Sequence, residues 1–221
     1  PKLRVVGNPR YDLVMNEAME FRKNDVEKFK DRDMRVIIGS VHKEEEKFLV
    51  PTLVQLMKAY PELKILYALH EPTDFALKDT KKKFRDHGIV GAVFRKKTDL
   101  KLPTNPLVIL GVVGVLSKLY WQGQIAYVGG GYSAGVHNVM EPAVARLPVI
   151  FGPRYHNSHE AEELINNNGG FCVKDGQEFL SIIKNLISDS KYHKMTSLSA
   201  SDVVYMNVGS TREMVQQIFC D

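Results

Sequence analysis

Ile125-Ala126-Tyr127-Val128-Gly129-Gly130-Gly131-Tyr132-Ser133-Ala134-Gly135-Val136-His137-Asn138-Val139-Met140-Glu141-Pro142, closed by Leu147-Pro148-Val149-Ile150-Phe151-Gly152-Pro153, is the stretch that decides the fold. An apolar strand at Ile125 to Val128 runs into a glycine-rich loop, then a short helix, then a second apolar strand at Val149 to Phe151. That pattern is one βαβ unit. Glycines at 129, 130, 131 and 135 allow main-chain N–H groups to approach a bound group, and a helix start adds unpaired donors with a partial positive charge. The expected ligand is an anion, and a nucleotide phosphate fits best.

Pro142 restricts where the helix begins, because proline is accepted in the first turn but costs about 3 kcal/mol in a helix interior. The helix is therefore predicted to start between Asn138 and Glu141. Asn138 as N-cap with Glu141 three residues on matches a capping box, while a ligand hydroxyl pair is an equally good use for Glu141. Both readings stay open. Gly131-Tyr132-Ser133-Ala134-Gly135 also matches the G-x-S-x-G elbow of serine hydrolases, with Asp175 and His193 following in order. An elbow needs the helix to begin directly after Ser133, which would bury Pro142 in its interior, so Ser133 is read as a small loop residue facing the ligand.

Among the 221 residues, 44% are hydrophobic and 25% charged, the balance of a globular protein with an extensive core. A net charge of +4 argues against a dedicated nucleic-acid binder and suits acidic small molecules or an anionic membrane surface. Cys172 and Cys220 lack C-x-x-C partners, so neither a zinc ribbon nor a disulfide framework is expected, and a reducing cytosolic setting is the simplest. The longest apolar run, Leu107 to Leu116, is too short to cross a bilayer. His156, His159 and Glu160 hint at a metal but lack a further ligand set, and no metal or cofactor is expected. Opening at Pro1 without an initiator methionine suggests a piece of something longer.

Short β-branched runs alternate with amphipathic stretches from residue 35 onward. Strands are expected at Arg35 to Ser40, Leu63 to Leu69, Ile89 to Phe94, Leu107 to Leu110 and Phe171 to Val173, besides the two already quoted. Helices are expected at Glu44 to Tyr60, Asp74 to Asp86, Val115 to Trp121, Ser158 to Asn167 and Gln177 to Ser188, and from Lys191 to Phe219 with a break at Asn207 to Ser210. The alternation predicts an α/β fold, a doubly wound parallel sheet of Rossmann-like type, whose ligands sit beyond the carboxyl ends of the strands. Loops after Ile38, Leu69, Leu110, Val128 and Phe151 should then share one rim. Residues 1–34, with a strand at Leu3 to Val6 and a charged stretch of weak helical periodicity at Leu13 to Asp33, fall outside the repeat and read as a linker or the tail of another domain.

Gly135-Val136-His137-Asn138-Val139-Met140-Glu141-Pro142 with Leu147 to Pro153 resembles the donor-binding signature of the 3-deoxy-D-manno-octulosonic acid (Kdo) transferases, GT-B glycosyltransferases of Gram-negative bacteria. Gly7-Asn8-Pro9-Arg10-Tyr11-Asp12 resembles their Gly-Asn-x-Lys-Phe-Asp motif, and Gly39-Ser40 with Glu44-Glu45-Glu46 resembles the strand end that opens their second domain. In Ala68-Leu69-His70-Glu71-Pro72 only the histidine matches the usual Pro-Arg-His-Pro-Glu, and Gly111 to Leu116 departs from Asp-Thr-Met-Gly-Glu-Leu.

The resemblance implies the C-terminal half of a GT-B fold. Residues 35–200 would form the CMP-Kdo-binding domain, 1–34 the tail of a missing N-terminal acceptor domain, and 201–221 a helical segment packing toward it. It implies that Glu141 holds the ribose, that Gly130, Gly131, Ser133, Gly135, His137 and Asn138 surround phosphate and Kdo, and that Gly39 and Ser40 line the opposite wall; His70 is placed either to meet the donor or to serve as a satisfied structural residue at its strand end. No catalytic residue is expected on this chain. The implied function is Kdo transfer from CMP-Kdo to a lipid A precursor in lipopolysaccharide biosynthesis. The acceptor would be held by the N-terminal domain at the cytoplasmic face of the bacterial inner membrane, with peripheral contact to the membrane surface. The alternatives are another GT-B transferase or an epimerase using a UDP-sugar, and a non-enzymatic nucleotide-binding module.

Overall fold

The computed structural model describes residues 6–28 and 32–219. Among them seven strands form one all-parallel sheet in the order β3-β4-β2-β1-β5-β6-β7, with β1 Arg35–Val41, β2 Lys64–Leu69, β3 Gly91–Phe94, β4 Leu107–Leu110, β5 Ile125–Val128, β6 Val149–Phe151 and β7 Gly170–Cys172. Strands β4, β5 and β6 are uninterrupted apolar runs because helices cover both faces, leaving no strand side for polar residues. One face packs Leu49, Leu53 and Leu56 of α2 (Lys43–Ala59) and Phe179 and Ile183 of α7 (Gly176–Ser188) against Ile38, Tyr67 and Tyr127. The other face is closed by α4 (Leu116–Leu119) with the 3-10 turn Tyr120–Gln122, by the short α5 (Met140–Val144), and by α8 (Ser190–Met206).

The chain leaves β1 toward β2 and returns on the other side of β1 as β5, so the sheet reverses winding between β1 and β5. A crevice at the carboxyl ends of those two strands is where a doubly wound sheet accommodates ligands. The remaining helices, α3 (Asp74–Arg85), α6 (His159–Asn166) and α9 (Ser210–Phe219), complete the layers.

Two features bear on the expected boundaries. The charged stretch after residue 9 is helical: α1 (Arg10–Lys28) buries Tyr11, Val14, Met15 and Ala18, a stripe at helical spacing, against α5 and α8. Asn8 and Arg10 bond the buried Glu160 at 2.7 and 3.3 Å, and Tyr11 donates to Glu163. The division expected at residue 200 falls inside the continuous helix α8. The strand expected at Leu3 to Val6 lies outside the described residues except for Val6, which is not in a strand.

Candidate functional site

The loop after β5 folds onto one carbonyl. Gly130, at φ +93°, accepts from the amides of Ser133 (2.9 Å) and Gly135 (3.1 Å) and from the Ser133 hydroxyl (3.2 Å). Its own N–H goes to the buried carboxylate of Glu45, 3.1 Å from both oxygens. The amide of Gly129 extends strand pairing to Gly39 (2.8 Å), and that of His137 closes back on Gly129 (3.1 Å). A Cβ on Gly131 would come within 2.6 Å of the Gly152 backbone, so that glycine is required by the packing of one loop on the next. The amides of Gly129, Gly130, Gly135 and His137 are thus engaged within the loop and hold its shape.

Glu45 is the residue that sequence reasoning missed. Fully buried at the start of α2, it accepts from the His42 amide (2.9 Å), the Tyr127 hydroxyl (2.7 Å) and Gly130, tying β1, α2 and the β5 loop together. The signal lay in the Glu44-Glu45-Glu46 run. Which glutamates turn inward, here Glu45 and Glu46, depends on the helix starting at Lys43.

Helix α5 begins at Met140, within the predicted interval. Asn138 accepts from the Met140 amide (3.0 Å) and gives its side-chain N–H to Glu141 (3.0 Å), so the two side chains bond each other and no reciprocal capping box forms. Burial raises the Glu141 carboxyl above the ordinary value, opposed by the Asn138 bond and reinforced by Glu17. Glu141 faces a cavity of about 470 Å³ lined also by Ser117, Lys118, Trp121, Glu17 and Phe21.

Three imidazoles gather at the other side of the crevice. His42 follows β1, His70 follows β2 and His137 belongs to the β5 loop; their ring centroids are 4.4, 4.6 and 5.0 Å apart. His42 Nε2 and His137 Nε2 are 2.7 Å apart. Burial, with His70 and His42 adding to it, pushes His137 down to about 4, so it is neutral at physiological pH. His70 and His137 were expected near the ligand; His42 was not singled out. Ser40 sits beside Gly129 with its backbone at φ 54°, and Gly39 lies against the Tyr120 hydroxyl, so both line the β1 wall.

The hydrolase reading fails on geometry. Ser133 lies in a turn well before α5, while His193 bonds the Gln124 carbonyl (2.8 Å) at the opposite, amino edge of β5. The His156, His159 and Glu160 set also separates: Glu160 turns inward to Ser158 (2.7 Å) and Asn8, and His156 pairs with Glu162 (2.9 Å). Among the described residues no helix is long and apolar enough to cross a membrane.

No family model matches the chain. It is 30% identical over 221 residues to the 3-deoxy-D-manno-octulosonic acid transferase of Haemophilus influenzae, covering 97% of this chain and 50% of that protein. The chain thus spans about half the length of the curated relatives that it matches. Its fold superposes on the C-terminal CMP-Kdo binding domain of WaaA from Acinetobacter baumannii with a TM-score of 0.67 at 19% identity, covering 88% of this chain and 97% of that one. A UDP-N-acetylglucosamine 2-epimerase gives a TM-score of 0.60 at 12% identity, over 98% of this chain and 52% of the other. The Rossmann-like architecture is therefore established, and Kdo transferases are among the chain's sequence relatives.

Proposed function

We propose that this chain is the donor-binding half of a glycosyltransferase that moves Kdo from CMP-Kdo to a lipid A precursor in lipopolysaccharide biosynthesis. The acceptor and the general base belong to a companion N-terminal domain, working at the cytoplasmic face of the bacterial inner membrane. The observation that carries this is the placing of Asn138 and Glu141 beside the β1/β5 crevice: a half-buried carboxylate with a raised pKa faces a cavity sized for a nucleoside.

Glu141 takes the ribose hydroxyls, and the loop from Gly131 through Ser133 to Asn138, with Gly39 and Ser40 opposite, surrounds phosphate and sugar. Negative charge grows on the phosphate as the glycosidic bond breaks. The loop, already held in shape by the Glu45 and Gly130 bonds, meets that charge without reorganising. The exposed side chains of Ile218 (71%) and Phe219 (78%) on α9 suit the segment after residue 200 to contact with the companion domain.

Calorimetric titration with CMP and UDP tests the reading. Binding of CMP in preference to UDP is expected, and Glu141→Ala should weaken it by about 1–3 kcal/mol. Equal affinity, or a preference for UDP, would count against the reading.

A further inference from the structure

The three histidines at the crevice are far apart in sequence and meet only because β2, β1 and β5 are adjacent in the sheet. Neighbouring strands run about 4.8 Å apart, which brings side chains at the ends of adjacent strands to stacking distance. One ring nitrogen from each of His42, His70 and His137 lies within 4.8 Å of the other two. Tetrahedral coordination with metal–nitrogen bonds of about 2.0–2.1 Å separates ligand nitrogens by roughly 3.3 Å, inside that limit, so His42 and His137 Nε2, now 2.7 Å apart, need only part slightly to admit an ion. His70 is exposed and His42 and His137 are half-buried, so the rings face solvent on one side and protein on the other.

An anion and a cation are both conceivable guests for three imidazoles, and the surroundings choose between them. A cavity of about 490 Å³ opens beside His42 and His70, and its walls carry Glu44, Glu46, Glu71 and Asp79 against Lys43. Lys83 reaches Glu46 (2.6 Å) and Asp79 (2.7 Å) but leaves the carboxylates in the majority. Such a wall concentrates cations next to the imidazoles. Imidazole nitrogen selects zinc, copper, nickel or cobalt over magnesium and calcium, which prefer oxygen.

We propose that His42, His70 and His137 form a three-nitrogen site for a divalent first-row transition ion of the zinc class, with a coordination position left for water or an anionic ligand group. This goes beyond the donor reading and does not rest on it. Three protein ligands with one open position is the arrangement of metal sites that hold an exchangeable group. An ion there would stand across the crevice from the Glu141 cavity.

The test is titration of the chain with Co²⁺, followed by visible absorption, and with Zn²⁺ in competition with a chromophoric chelator. One equivalent should bind with the bands of a nitrogen-ligated ion, and Mg²⁺ at equal concentration should leave them unchanged. His70→Ala, an exposed substitution with little effect on folding, should weaken binding at least tenfold, and His137→Ala likewise. His159→Ala, on a separate surface helix, should leave affinity unaltered. Binding that survives both His70→Ala and His137→Ala, or that disappears with His159→Ala, overturns the proposal. So does a failure to bind Co²⁺ or Zn²⁺ at micromolar concentration. CMP titrated in the presence of EDTA keeps the two readings distinct: CMP binding that persists there with no metal binding elsewhere removes the metal site alone.

Discussion

At the scale of single residues, the site is organised by a buried carboxylate with no cationic partner in the described contacts. Glu45 gathers three donors, from His42, Tyr127 and Gly130, and each belongs to a different segment of the crevice. A carboxylate can accept all three, whereas an amide must present one end as a donor. Glu45→Gln should therefore cost about 1–3 kcal/mol, with one bond lost and a buried group left unsatisfied. Urea unfolding would measure it, and an unchanged midpoint would show that the loop holds its shape without that carboxylate.

Gly130, Gly131, Asn138 and Glu141 were legible in the sequence as a constellation, because turn, helix start and strand lie within one short stretch. What each does was less legible. The Gly130 amide is spent on Glu45, and Gly131 is needed by Gly152, both contacts across the fold that no local pattern encodes.

At the scale of elements, periodicity placed the strands well, with β4, β5 and β6 found at their expected bounds, because continuous apolar runs bounded by turn residues have few alternative structures. α1 was legible only as weak periodicity because dense charge masks the Tyr11, Val14, Met15, Ala18 stripe, which packs on a surface supplied by α5 and α8. The His trio escaped for a topological reason, since strand adjacency cannot be read from strand order in the chain.

The tether between α8 and the sheet sets a pH response. Burial lowers the pKa of His193, on α8, while its ring bonds the Gln124 carbonyl. The unfolded chain, with histidines near 6.5, then takes up protons that the folded chain refuses. Stability is complete above that value and falls as pH drops from 6.5 toward the folded pKa. The urea midpoint should be lower at pH 5 than at pH 7.5. His193→Gln should narrow the difference, leaving the share of His137, which is held near 4.

At the scale of the whole molecule, one parallel sheet carries the core on both faces, and the crevice lies on β1 and β5 in its centre. A ligand there touches segments that otherwise meet only through the sheet, so binding should be felt by the entire cooperative unit and not by one loop. For a two-state transition, a ligand at one hundred times its Kd adds about 2.7 kcal/mol, and at roughly 2–4 °C per kcal/mol for a chain of this size Tm should rise by about 5–10 °C. CMP should produce that shift in differential scanning calorimetry and UDP a smaller one. Glu141→Ala should reduce the CMP shift while leaving the ligand-free Tm nearly where it was, because its carboxylate is bonded only to Asn138 among the described contacts. A split endotherm in which CMP moves only one part would mean that the crevice belongs to a separately melting unit. Equal shifts from both nucleotides would mean that the pocket beside Glu141 does not read the base.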